Sequence, residues 1–314
     1  MDERKPYKTD LTEPEWAVIK PLIAAWKAKH PSVSGHQGRY EMREIVNALR
    51  YQNRTGCQWE LLPHDLPPTG AVRYYFDVWK HDGLDQRIND VLRMMVREKA
   101  GRAADPSLVV LDSQSVRAAA GVPKSTTGMD AAKKTPGRRR GLAVDVIGLI
   151  IAVVVIAASV HDNAIGTALL NKVAATTGTV YTALVDQGFK NSVVDHGRTL
   201  GVDVQIVARN PARTGFVPEP IRWRVEQTNG LNMLERRLAR DYEHSPRPAR
   251  SRGSTGLLPD GCCAGWLARP PDGGMRDAPR RHPAAPRRNR ATRAPTDRAD
   301  RRTHSPAARG ASRM

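Results

Sequence analysis

The sequence predicts an α/β protein: a helical segment, then a mixed sheet with helices on its faces, then a tail without a core. Three observations predict this. Residues 1–103 carry apolar side chains at helical spacing, residues 104–244 alternate β-branched runs with helical segments, and residues 245–314 contain no Val, Ile, Phe or Tyr. In the first segment Asp10 or Thr12 can cap a helix bearing Leu11, Trp16, Ile19 and Leu22. Arg43–Tyr51 continues as a second helix that ends near Gly56, and Pro63, Pro67, Pro68 and Gly70 make a turn. Val72, Tyr75, Phe76 and Trp79 form a third helix ending near Gly83, and Ile88, Val91, Leu92 and Met95 a fourth. Such helices with basic flanks suit either a helix-turn-helix-like DNA-binding unit or a plain bundle, and spacing alone does not separate the two.

The second segment reads as strands at Ser107–Leu111, Leu142–Ile147 and Ile150–Val160, with Gly148 turning between the last two. There follow a helix over Ala164–Thr176, a strand over Val180–Val185, a helix over Asn191–Leu200, a strand over Val202–Ala208 and one long helix over Pro220–Asp241. No internal repeat is visible, and the sequence leaves strand order open.

Charge is concentrated at the end of the chain. The formal net charge is +18, and Ser245–Met314 holds sixteen Arg and five Asp with no Lys or Glu, so this tail contributes +11 of it. Ten Pro accompany those Arg. A segment of this composition buries too little apolar surface to offset its ordering entropy, so it is expected to be disordered. Arg, Pro, Ala and Gly together are what GC-rich codons give when read out of frame, and the change near Ser245 is abrupt, so the tail reads as a frameshifted end. The alternative is a native basic DNA-binding tail.

Several classes are excluded. Cys57, Cys262 and Cys263 supply neither a disulfide framework nor a CxxC zinc pair. The start MDERKPYKTD has no apolar signal region. The apolar run Gly148–Val160 is shorter than the about 20 residues of a membrane span. A cytoplasmic protein with a polyanionic partner, nucleic acid before membrane, is expected.

Three acids sit at informative places: Asp112 ending the first strand in SLVVLDSQSV, Asp186 ending the fourth in VYTALVDQGF, and Glu226 on the long helix. Sites in open α/β sheets gather at the carboxyl ends of strands. Clustered carboxylates repel unless cations intervene, and hard oxygen donors favour Mg²⁺ or Mn²⁺. Two ions about 3.5–4 Å apart activate a water or 3′-hydroxyl at a phosphodiester. Equally, Asp186 before Gln187-Gly188 is a turn former, and Glu226 has Arg222 four residues before it. Asp145, Asp162 and Asp195 are rival acids.

Basic groups surround them. Lys133, Lys134, Arg138, Arg139 and Arg140 are expected in a loop between the first two strands, where they meet phosphates or simply solvent. Arg222, Arg236 and Arg237 line the acid-bearing helix, and Trp223 stacks on an extruded base or packs in the core.

These stretches resemble a known family. LTEPEWAVIKPLI, REIVNALRYQNRTGCQWELLPHDLPP and VRYYFDVWKHDGL in the front, with VVLDSQSVRAA, GMDAAKKTPGRRRGLAVDVIGL, ALVDQGFK and RWRVEQTNGLNMLERRLARDYE behind, are similar to bacterial insertion-sequence transposases of the DDE class, IS-five group. The resemblance implies a ribonuclease-H-like catalytic core with Asp112, Asp186 and Glu226 as the metal-binding triad. It implies that residues 1–103 recognise the element's terminal inverted repeats. It implies metal-dependent nicking of double-stranded DNA by residues 104–244, attack of the freed 3′-hydroxyls on target DNA, and a homo-oligomer on DNA in the bacterial cytoplasm, at the nucleoid. Arg222 and Glu226 fit the signature around the third acid, while Glu219 stands at its Tyr position and Met233 at its Lys position, with Arg236 and Arg237 nearby. The family's apolar C-terminal helix is replaced by the Arg/Pro tail. Two other functions remain open: a catalytically inactive copy that only binds DNA, and a nuclease of the same fold that does not join strands.

Overall fold

The computed structural model describes residues 4–31, 40–207, 221, 223–244 and 246. Apart from Pro246, the tail expected to be disordered and frameshifted lies outside the described residues, as does Arg222.

Helix α1 (Glu13–Lys29) starts at Thr12, not Asp10: the Thr12 hydroxyl accepts the Glu15 N–H and the Glu15 carboxylate accepts the Thr12 N–H. Helix α2 (Met42–Thr55) ends at Gly56 in the left-handed conformation, φ 73°. A Cβ there would also lie 2.8 Å from the Cβ of Arg236, so glycine serves both the turn and a close approach. Helices α3 (Thr69–Asp82) and α4 (Leu84–Lys99) follow, meeting at Gly83. Ile19, Ile23, Trp26, Ile45, Val46, Val72, Trp79, Leu92 and Val96 fill the space between the four helices. Leu149, from beyond the helices, joins this core.

The sheet comprises β1 (Leu108–Arg117), β2 (Gly128–Asp130), β3 (Thr135–Val144), β4 (Ile150–Ala157), β5 (Thr182–Val185) and β6 (Asp203–Ile206). Strand β3 is antiparallel to β1 and, on its other side, to β2 and β4; β5 is parallel to β1, and β6 to β5. This is the mixed sheet of a ribonuclease-H-like core. Helices α5 (Asp162–Thr176) and α6 (Asn191–Thr199) cover one face, where Ile165, Leu169 and Val193 pack on Val109, Leu111 and Ala143. Helix α7 (Trp223–Asn232) covers the other, where Val225 packs on Val110, Leu142 and Val144. A Cβ on Gly141 would lie 2.8 Å from Ile165, so α5 seats directly on the bare backbone of β3.

Three expectations are corrected. The first strand does not stop at Leu111: it runs on through Asp112 to Arg117, because β3 pairs with it as far as Gly137. Arg138, Arg139 and Arg140 are not in a loop but inside β3, buried. Only Lys133 and Lys134 stand in the tight turn between β2 and β3, with Lys134 left-handed at φ 48°. Finally, the single helix expected over Pro220–Asp241 breaks after Asn232 and resumes as the short α8 (Arg236–Ala239). The break lets the chain return to β1, where Asp241 bridges to Ala118.

Asp145 fastens the helices to the sheet. It is fully buried, accepts the N–H groups of Ile147 and Leu149, and pairs with Arg97 of α4 at 2.5 Å. Asn89 of the same helix donates to the Ile150 carbonyl at 3.1 Å. Removing one partner of a buried ion pair strands the other charge. Arg97→Met is therefore expected to lose about 3–5 kcal/mol of stability in urea unfolding; a loss under about 1 kcal/mol would show that the pair does not fasten these elements.

Candidate active site

The sheet register brings Asp112 and Asp186 together. Val110 of β1 pairs with Leu184 of β5, and each acid lies two residues further on. Neighbouring strands run about 4.8 Å apart, so the two carboxylates leave adjacent chains at the same height. Parallel pairing ends there: β5 stops at Val185, while β1 continues against β3 alone. Both acids are half-buried. The Asp186 carboxylate accepts the Gly188 N–H at 2.9 Å, so it forms the expected turn while standing at the strand end.

Helix α7 supplies the third side. Asn229 Nδ2 donates to Asp112 Oδ2 at 2.9 Å. Glu226 is one turn earlier on the same side of the helix, exposed. The buried stripe of α7 is Val225, Thr228, Asn229 and Asn232, mostly polar; of the leucines that recur at helical spacing after it, Leu234 is 58% exposed and Leu238 buried. Thr228 anchors the helix by donating to the Gly148 carbonyl at 2.8 Å. Asn229 was missed by sequence reasoning, and its signal was a polar residue three positions after Glu226.

A second polar network occupies the opposite face. Asp162, at the start of α5, accepts from Ser113 Oγ at 2.8 Å and from Arg139 at 2.6 Å. Arg139 also reaches Asp130 at 2.8 Å. A Cβ on Gly188 would lie 3.0 Å from Asp186 Oδ1 and 3.4 Å from Asp162 Oδ2, so this network backs onto the Asp186 turn. Of the other rival acids, Asp145 is the buried fastener and Asp195 an exposed partner of Arg198.

The expected phosphate contacts divide into two groups. Lys133, Lys134 and Arg236 are exposed. Arg138 is held by Asp241 and by the carbonyls of Glu243 and His244, Arg139 by two carboxylates, and Arg237 by Glu243. Arg140 is buried without a carboxylate partner among the described residues. Trp223 is half-buried, with the Arg224 guanidinium 4.6 Å over its ring.

Residues 11–89 match the family described as "Putative transposase of IS4/5 family", and residues 103–244 match "Transposase DDE domain". The chain belongs to the IS4/IS5-family DDE transposases. No match was found among curated proteins. Transposases of this family are in general DNA-binding nucleases and transesterases that use divalent metal ions, as the motif resemblance implied. Among the described residues, no helix is long and apolar enough to cross a membrane.

The donor chemistry fits a hard divalent cation. Two half-buried carboxylates stand on adjacent chains at matching register positions, and Asn229, which holds one of them, has its Oδ1 buried with no hydrogen-bond partner among the described residues. As placed, no three His, Cys, Asp or Glu side chains among the described residues converge on one point.

Asp130 offers a titration that tests the backing network. Its carboxyl is held well below the usual carboxylate range, first by the Ser115 hydroxyl and also by the Lys133 N–H and Arg139, against burial. A depressed carboxylate stabilises the fold above its unfolded pKa, near 3.9, and that contribution is lost as pH falls toward the folded value. Asp130→Asn is expected to be less stable than the parent at neutral pH, with the gap narrowing below about pH 4 in denaturant midpoints. A gap independent of pH would remove the titrating role from Asp130.

Proposed function

We propose that residues 104–244 of this transposase cut the ends of its insertion sequence and join them to target DNA, with Asp112, Asp186 and Glu226 as the metal-binding catalytic acids. The observation that carries this reading is the shared height of Asp112 and Asp186 on adjacent chains, with Asn229 tying Asp112 to the helix that bears Glu226. A divalent pair, Mg²⁺ or Mn²⁺, held there supplies an activated water or 3′-hydroxyl and stabilises the leaving oxygen. The protein groups do the positioning. Asn229 fixes the rotamer of Asp112, and the Gly188 N–H fixes that of Asp186. Lys133 and Lys134 at the hairpin tip and Arg236 on α8 are placed to meet backbone phosphates. Arg138, Arg139 and Arg237 act from inside as struts, since their guanidiniums are already engaged.

Residues 1–103 recognise the terminal inverted repeats in this reading. Two ends must be held at once, so the working species is a homo-oligomer on double-stranded DNA, in the bacterial cytoplasm at the nucleoid. The competing reading is an inactive copy that binds DNA without cutting it.

The test uses the full chain and a duplex carrying the element's own end, with Mg²⁺ and then with EDTA. Nicking at the end, dependent on Mg²⁺ and reduced on the order of 10³-fold in Asp112→Asn and Asp186→Asn, is expected. Joined products distinguish a transposase from a nuclease that only hydrolyses. Salt-sensitive binding at the end without any nicking would overturn the catalytic reading in favour of the inactive copy.

A further inference from the structure

We infer that a cleft between β1, β3 and α8 is a seat for one phosphoryl oxygen of a DNA strand, gripped by Arg140 inside and Arg240 at the mouth. The inference rests on the transposase reading and names a contact within it. The cleft is lined by Arg138, Arg140, Arg237, Arg240, Asp241 and Glu243, on a floor of Val116 and Val155. Two of the four arginines are neutralised in place: Arg138 pairs with Asp241 at 2.9 Å and Arg237 with Glu243 at 3.0 Å. Among the described residues that line the cleft, four arginines face two carboxylates, and Arg140 and Arg240 form no ion pair with either, so the lining has a formal excess of two positive charges.

Arg140 is the decisive group. It is 4% exposed, and its contacts are the Leu238 carbonyl at 3.2 Å, Gln114 Oε1 at 2.9 Å and the Met233 sulfur at 3.9 Å, none of them a carboxylate. Its Nε is buried with no partner. Burial lowers its pKa to about 10, although the Asp241 carboxylate acts on it through space in the opposite direction. Arg240 is exposed at the other end, with one nitrogen on the Ala118 carbonyl at 3.3 Å. The enclosed part of the cleft measures about 20 Å³, room for one water-sized atom and not for a whole phosphate. A single oxygen can therefore reach Arg140 while the rest of the group stays at the mouth.

Position ties the cleft to the acids. Gln114 and Val116 lie two and four residues beyond Asp112 on the same face of β1, about 7 and 13 Å along the strand. That span is one to two nucleotides of an extended strand, so the seated phosphate flanks the scissile one. The Met233 sulfur, just past the end of α7, lies 3.9 Å from Arg140, so the guanidinium also meets the break between α7 and α8.

The test replaces single phosphates of the end duplex with uncharged methylphosphonates and measures nicking and affinity of the full chain, parent beside Arg240→Gln and Arg140→Gln. In the parent, one position within two nucleotides of the cut is expected to lose about tenfold in affinity on neutralisation. In both variants that same position is expected to become insensitive, with the salt slope reduced by about one phosphate. A merely structural role for Arg140 would lower the melting temperature without erasing one position of the scan. Arg240 is exposed, so its variant keeps the experiment interpretable if Arg140→Gln fails to fold. A parallel arm measures the melting-temperature rise with inorganic phosphate against chloride at equal ionic strength. A rise lost in Arg240→Gln, with a flat scan, would reassign the seat to free phosphate and overturn the DNA contact. A parent that nicks normally, with a flat scan and no phosphate effect, would overturn the seat itself. A parent that nicks no duplex would instead count against the catalytic reading on which the seat rests.

Discussion

Three consecutive guanidiniums are buried on one strand, and much of this structure is arranged by their need for counter-charge. A charge taken out of water costs several kcal/mol unless it is paired and hydrogen-bonded. Strand alternation sends Arg139 to one face of β3 and Arg138 and Arg140 to the other. Arg139 draws in Asp130, which fixes the β2–β3 hairpin, and Asp162, which opens α5 behind the Asp186 turn. Arg138 draws in Asp241 and two carbonyls after it, which pulls the chain back across β1 after α8. The ends of three separate segments are thus set by two side chains. The acids of the candidate site sit beside this network without being part of it.

The element plan was largely legible because burial imposes strong periods. The front helices carry apolar spacing, a capping box at Thr12 and Glu15, and glycines at Gly56 and Gly83 where left-handed turns end helices. Strand β4 and the first half of β1 read as apolar β-branched runs because both of their faces are covered. What failed shares one cause: polar residues doing buried work. Beyond Leu111 the first strand is DSQSVR, which resembles a loop, yet each side chain has a role on its own face. Asp112 and Gln114 face α7 and α8, while Ser113 and Ser115 bind Asp162 and Asp130. The run RRR resembles a solvated loop because periodicity counts apolar residues, and no local pattern reveals that carboxylates as far as 103 positions away pair with two of its three members.

The same limit applies to the site. Asp112 and Asp186 were visible as acids after apolar runs, since the ends of parallel strands are where such groups gather. Their alignment depends on the pairing of Val110 with Leu184, which needs the strand order and therefore the tertiary fold. Asn229 illustrates the converse. Its amide is unremarkable in a stretch reading QTNGLN, and only the packing of Val225 onto Val110 and Val144 turns it toward Asp112. The polar stripe of α7 follows from what lies under it: a helix laid over carboxylates and carbonyls gains hydrogen bonds there that leucines would forfeit.

Charge distribution separates attraction from placement. The last 70 residues hold +11 of the formal +18, so most of the net charge that attracts a polyanion lies after residue 244 in the sequence. Such attraction is non-specific and decays within a Debye length, about 8 Å at physiological salt. Such a pull favours polyanions in general but cannot select one phosphodiester among many. Selection requires cations whose positions are fixed, and in the body those belong to β3, its hairpin and α8. Most of these guanidiniums are already committed to carboxylates, which leaves a small number of rigid positive groups near the acids. A few positioned cations around β3 and a strong charge excess elsewhere in the sequence are what is expected when affinity and register are supplied by different parts of one chain. It follows that changes in the tail should alter how often the protein sits on DNA, whereas changes around β3 should alter where along the strand it acts.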